Sequence, residues 1–144
     1  MQVREVLKSK GGRVVTIDPK ATIAEAVARL VQNNIGSLPV VDADDRLIGV
    51  ISERDVLRHV HNRGESYAKQ CVEDIMTCNP VTCTPACDVD DVMGQMSSRR
   101  IAKVPVIDEG RLVGIVSVGD VIKVMYEQLH AENTHLISYL YGHT

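Results

Sequence analysis

Phenylalanine and tryptophan are both absent from this 144-residue chain, and only four tyrosines stand in for them. The aromatic platforms on which single-stranded bases stack are therefore missing. Basic runs are missing too: 16 Lys and Arg against 19 Asp and Glu give a formal net charge of −3, with no stripe to meet duplex phosphates. Nucleic acid is not an expected partner. No stretch approaches the roughly 18 apolar residues of a membrane span, and Met1-Gln2-Val3-Arg4-Glu5-Val6 holds no apolar leader core. The chain reads as cytoplasmic, without a membrane partner. Its four cysteines, Cys71, Cys78, Cys83 and Cys87, make no C-x-x-C pair and have no histidine at finger spacing. Reduced thiols are expected rather than zinc, and no other metal set presents itself, because His59, His61, His130 and His135 lack a third ligand at a suitable spacing.

Present instead is an ordinary soluble balance, 44% apolar and 24% charged, carrying a clear internal repeat. Val15-Thr16-Ile17-Asp18-Pro19 matches Val81-Thr82-Cys83-Thr84-Pro85 at an offset of 66 positions. Asn34 to Asp42 matches Arg100 to Asp108 at the same offset, and Arg46-Leu47-Ile48-Gly49 matches Arg111-Leu112-Val113-Gly114 one residue closer. Even the lead-ins agree, since Val3-Arg4-Glu5-Val6-Leu7 resembles Val72-Glu73-Asp74-Ile75-Met76. The boundaries expected are a first repeat over 1–62, a linker over 63–71, a second repeat over 72–128 and a C-terminal helical tail over 129–144.

Within each copy, period and punctuation predict β-α-β-β-α. Thr22-x-x-Glu25 forms a capping box ahead of Ile23, Val27, Leu30 and Val31, and Asp88-x-x-Asp91 precedes Val89, Val92, Met93 and Met96. Apolar runs at 38–41 and 47–51, and again at 104–107 and 112–116, read as hairpins. Pro39 and Pro105 cannot donate to a ladder, so each is expected at a strand start or on an edge, with carbonyls left free. A copy of about 55 residues is marginal alone, so the two are expected to pack sheet to sheet. Beyond Asp120 a helical stripe continues through Val121, Val124, Met125, Leu129, Leu136, Ile137 and Leu140 with no core left to bury it. A homodimer or dimer-based oligomer is the expected consequence.

The chemistry is concentrated at two matched turns, Gly49-Val50-Ile51-Ser52-Glu53-Arg54-Asp55 and Gly114-Ile115-Val116-Ser117-Val118-Gly119-Asp120. Each places Ser as N-cap and Asp three positions later, which ties down the helix start. The same turn offers unpaired backbone N–H groups, a hydroxyl and a carboxylate, which suit a ribose carrying a phosphate. No Ser/His/Asp order, metal triad or P-loop is present, and no candidate base lies near either aspartate in the sequence, so catalytic residues are not expected.

Two -h-P-h-h-D- hairpins, each followed by G-h-h-[ST]-x-x-D, resemble a tandem CBS-domain pair, or Bateman module, over essentially the whole chain. The resemblance is narrower still to small stand-alone bacterial CBS-pair proteins. It implies an α/β (α+β) fold of two pseudo-symmetric repeats and a regulatory sensor of AMP, ADP, ATP, NAD(H) or S-adenosylmethionine that signals to an unknown protein. It further implies clefts between the repeats. Asp120 and Ser117 would meet Thr16, Asp18, Gly36 and Ser37 in one; Ser52, Arg54 and Asp55 would meet Thr82, Thr84, Arg100, Ala102 and Lys103 in the other. The second cleft is expected to hold the phosphate, because Arg54, Arg100 and Lys103 align with Gly119, Asn34 and Ser37. The rival reading is a homodimeric scaffold whose clefts are vestigial.

Overall fold

The extended opening of each copy pairs over a single residue, and prolines on both sides explain why. In the computed structural model, which describes residues 1–140 apart from the side chains of Glu65 and Ile137, Ile17 bridges Val40 in parallel register. The Ile17 N–H donates to the Pro39 carbonyl at 3.0 Å, and its carbonyl accepts from the Val41 N–H at 3.1 Å. One further step at either end would need the N–H of Pro39 or of Pro19, and neither exists. Cys83 repeats the arrangement on Val106, between Pro105 and Pro85, at 3.0 and 2.8 Å. The first strand expected of each copy is thus reduced to one bridge. The same bonds correct the expectation of free carbonyls: those of Pro39 and Pro105 are both occupied.

Regular structure runs α1 (Val3–Lys10), α2 (Ile23–Asn33), β1 (Ser37–Val41), β2 (Leu47–Ser52), α3 (Glu53–Arg63), a 3-10 segment (Gly64–Lys69), α4 (Val72–Ile75), β3 (Thr77–Cys78), α5 (Val89–Arg99), β4 (Lys103–Asp108), β5 (Arg111–Ser117) and α6 (Val118–Leu140). This is the mixed α/β repeat architecture read from the sequence, with two small antiparallel sheets and a C-terminal helix. The β1–β2 hairpin runs from Ser37 opposite Ser52 to Val41 opposite Leu47, with a bulge before its turn. There the Asp42 carboxylate accepts from the N–H groups of Asp44 and Arg46, at 2.8 and 3.0 Å. The β4–β5 turn is tighter, with Glu109 and Gly110 both at positive φ (51° and 80°), as a two-residue hairpin requires. Two features lay outside the sequence reading. β3 joins the edge of β2 through Gly49 and Val50, and 63–71, read as a polar connector, is largely helical with Tyr67 packed on the core.

Helices α2 and α5 end alike. Ile35 and Ile101 donate back to Leu30 and Met96, each at 3.0 Å, while Asn34 and Arg100 turn through left-handed φ of 52° and 54°. This is the Schellman closure, with an apolar contact across it.

The described chain forms two compact units that interleave the sequence. One holds 13–83 and 105–114, and its core is Ile17, Ile23, Ala26, Leu30, Leu38, Val40, Ile51, Val56 and Val72. The other holds 1–12, 84–104 and the chain from Ile115 onward, and buries Val3, Val6, Val89, Val92, Met96, Val104, Val116 and Val121. Each unit takes the lead-in that precedes the other copy. Val3 and Arg4 donate to the carbonyls of Cys87 and Pro85, both at 2.9 Å; Val72 and Glu73 donate to Ala21 and Pro19 at 2.8 and 3.0 Å. Matched donors meet matched acceptors, so the lead-ins are exchanged between otherwise equivalent cores. On α2 the buried stripe includes Ala26 in place of Val31, which is 74% exposed. On α6 burial ends at Val124; Met125, Leu129, Leu136 and Leu140 are exposed. Of the tail expected over 129–144, residues 141–144 lie outside the described residues, as does the side chain of Ile137 in the proposed stripe.

Candidate functional site

Both Ser–Asp turns form, and their surroundings differ. At the first, the Asp55 N–H donates to the Ser52 hydroxyl at 3.2 Å, while the Ser52 N–H and hydroxyl donate to Asp55 Oδ2 at 2.9 and 3.0 Å. The Thr77 hydroxyl adds a bond to Oδ1 at 3.1 Å. Asp55 is 8% exposed, the one buried charged residue among those described. A carboxylate offers about four lone-pair positions, so capacity remains on Oδ1 for a further donor. Thr77 reaches this carboxylate because β3 pairs with β2. That pairing needs Gly49, where a Cβ would lie 2.6 Å from Met76 Sδ and 2.9 Å from the Thr77 carbonyl oxygen.

At the second turn the Ser117 N–H donates to Asp120 Oδ2 at 3.0 Å, and the Asp120 N–H donates to the Ser117 hydroxyl at 3.0 Å. Among the described residues no threonine completes it. The Lys10 ammonium, at the end of α1, lies 2.8 Å from Asp120 Oδ2 and donates to the Ile115 carbonyl at 3.0 Å. Burial pushes the Asp120 carboxyl up, but the bonds from Lys10 and Ser117 outweigh it and hold the group below the ordinary aspartate value. Lys10 brings an ammonium, not a base, to Asp120. Lys10 and Thr77 were both missed from the sequence, although each follows a lead-in whose repetition was visible.

The Gly36 carbonyl accepts from the Glu53 N–H at 2.9 Å, and the Ala102 carbonyl from the Val118 N–H at 3.0 Å. Ser37 pairs with Ser52 across the hairpin. Gly36 and Ser37 thus adjoin the Ser52 turn, and Ala102 adjoins the Ser117 turn. The Asp18 carboxylate accepts from the Lys20 N–H at 2.7 Å, and the Thr16 carbonyl accepts from the Arg29 guanidinium. Thr84 donates its N–H to Cys87 Sγ at 3.3 Å. Thr82, Arg54 and Arg100 are exposed and Lys103 is half-buried. Among the described residues none of the three cations makes an ion pair, which leaves them uncommitted to any carboxylate.

Family comparison agrees with the repeat: the CBS domain model matches twice, over residues 3–62 and 72–127. The chain belongs to the CBS-domain family. A CBS pair is a regulatory module, and stand-alone pairs from bacteria are close in structure. The CBS-domain containing protein ATU1752 from Agrobacterium tumefaciens is 38% identical, with a TM-score of 0.79 covering 87% of this chain and 99% of that one. The mitochondrial CBS domain-containing protein CBSX3 of Arabidopsis thaliana is 34% identical across 97% of this chain and 72% of its own length. The CBS domain pair of protein MJ0100, solved in complex with 5'-methylthioadenosine and S-adenosyl-L-methionine, is 30% identical, with a TM-score of 0.74 over 89% of this chain and 98% of that one. Among the described residues no group of three or more His, Cys, Asp or Glu could hold a metal ion, and no helix is long and apolar enough to cross a membrane.

Proposed function

We propose that this CBS pair senses adenosyl ligands, adenine nucleotides foremost, and reports their level to a partner protein without turning them over. The twice-repeated Ser–Asp helix start carries the reading. It combines a carboxylate able to accept ribose hydroxyls with a helix N-terminus suited to an anion. The adenosyl ligands bound by the MJ0100 pair support the same ligand class. AMP, ADP, ATP and NAD(H) are the candidates favoured, because Arg54, Arg100 and Lys103 supply charge for phosphate. In this reading Ser52, Arg54 and Asp55 work with Thr82, Thr84, Arg100, Ala102 and Lys103, while Ser117 and Asp120 work with Thr16, Asp18, Gly36 and Ser37. S-adenosylmethionine is the alternative ligand.

The second copy of the molecule belongs to the proposal. From Ile122 onward α6 exposes Met125, Tyr126, Leu129 and Leu136, and a groove of about 520 Å³ runs along Tyr126, Leu129, His130 and Leu136. Symmetric self-association is the commonest cover for such a face.

The burial of Asp55 and its bonds to Ser52 and Thr77 favour a second reading, a scaffold in which both aspartates are caps alone. A thermal-shift panel of AMP, ADP, ATP, NAD, NADH and S-adenosylmethionine separates the two. A ligand at roughly 100 times its Kd adds about 2.7 kcal/mol to stability. No shift with any member at millimolar concentration leaves the scaffold.

A further inference from the structure

Two turns with the same sequence logic carry different guests. At Asp55 the neighbouring lead-in supplies a neutral hydroxyl, Thr77 at 3.1 Å. At Asp120 the other lead-in supplies an ammonium, Lys10 at 2.8 Å, which also takes the Ile115 carbonyl at 3.0 Å. We propose that Lys10 is a built-in occupant of the Asp120 turn, a residue that closes this turn to ribose until it is displaced and so makes the two turns unequal in ligand affinity. The inference rests on the sensor reading and deepens it.

Three observations support the assignment. Lys10 is seated by a docked helix: α1 buries Val3 and Val6 completely and bonds Cys87 and Pro85 through its backbone. Its charge falls on the carboxylate that would accept a ribose hydroxyl. Lys10 and the Ser117 N–H both bind Oδ2, so a neutral ribose hydroxyl that reaches this carboxylate must share it with an ammonium already bound there, and the ammonium bond is the stronger of the two. Finally, Lys10 closes α1, which stops at Gly11 with φ of 61°. Only flexible stem and one helix end need move for the ammonium to leave. Binding at Asp120 therefore frees the end of α1, whereas binding at Asp55 displaces no charge. Ligand at the second turn is thereby read out as a change in the N-terminal helix.

The test is calorimetry on the full chain with adenosine and with AMP, in a background where Asp55→Asn weakens the first turn. Lys10→Met, which keeps length and removes charge, should tighten adenosine binding about two- to fivefold, the worth of a partly exposed ion pair. Lys10→Arg should not, and adding Asp120→Asn should abolish the gain. Lys10→Gln, a polar variant less prone to collapse onto the core, should repeat the Met result if both remain folded at the assay temperature. Hydrogen exchange of the α1 amides should rise when adenosine saturates the protein. If Lys10→Met and Lys10→Gln leave adenosine affinity unchanged while the unaltered protein binds AMP, Lys10 is a structural tie and the sensor reading survives without it. If no variant binds either ligand, both ideas fall. Adenosine binding by the Lys10 variants alone would support the closed turn and locate the ligand at Asp120, against the role given to Asp55.

Discussion

Arg100 offers a substitution whose effects on folding and on binding should have opposite signs. It ends α5 in the left-handed region, φ 54°, where its counterpart Asn34 ends α2 at φ 52°. A residue with a Cβ is disfavoured in that region by roughly 1–2 kcal/mol, and asparagine tolerates it far better than arginine. Both caps keep the same backbone bonds, Ile35 to Leu30 and Ile101 to Met96 at 3.0 Å, so the closure does not depend on the side chain. Arg100→Asn should therefore stabilise the protein by about 0.5–1 kcal/mol, or a rise in Tm of about 2–4 °C for a chain of this size. In the proposed function the same change removes a cation from phosphate, a charge-assisted contact of about 1.5–3 kcal/mol, and weakens AMP binding tenfold or more. Urea unfolding without ligand and calorimetry with AMP read the two effects separately, and Arg100→Lys keeps charge as the control. A lower Tm would refute the strain argument. Unchanged AMP affinity would remove Arg100 from the phosphate site. Strain retained at a bulky residue is the kind of outlier from which function is sensibly inferred.

Gly49→Ala must push Met76 and Thr77 aside and should cost about 1–3 kcal/mol in urea unfolding. Gly94→Ala, on an exposed turn of α5 with nothing within 4 Å, should instead stabilise by about 0.5–1 kcal/mol. Arg54→Ala with Lys103→Ala should weaken AMP at least tenfold and adenosine much less in calorimetry; equal losses would mean that these side chains shape the site and do not read charge. The depressed Asp120 carboxyl contributes stability that is fully present above the ordinary value of 3.8 and lost as pH falls below it. The stability gap between the unaltered protein and Lys10→Met, followed by thermal melts, should accordingly shrink as pH drops through that window. A chain ending at Lys123 should lose dimer mass in light scattering, and an unaltered oligomer would take α6 out of the interface.

The repeat, its hairpins and the reciprocal caps at Ser52 and Ser117 were legible in the sequence because each depends on neighbours only a few positions apart; the other two expected boxes form only in part, since Thr22 accepts from the Glu25 N–H without a return bond and Asp88 caps the Asp90 N–H in place of Asp91. Ser52 and Asp55 meet across one helical turn, and Pro39 with Pro105 announces where a ladder must break. Even so, the truncation of the opening strands follows from registering Pro19 against Val41 and Pro39 against Val15, which no local pattern states. The α2 face was misjudged at Val31, because period 3.6 allows more than one buried stripe and the packing partner chooses between them. Tertiary structure alone decided what touches the two aspartates. Thr77 and Lys10 arrive on exchanged lead-ins, 22 residues downstream of Asp55 and 110 upstream of Asp120. An ammonium and a hydroxyl at such distances leave no periodic trace. Their difference sets the charge at each carboxylate, and only the exchanged packing of α1 and α4 makes that difference act.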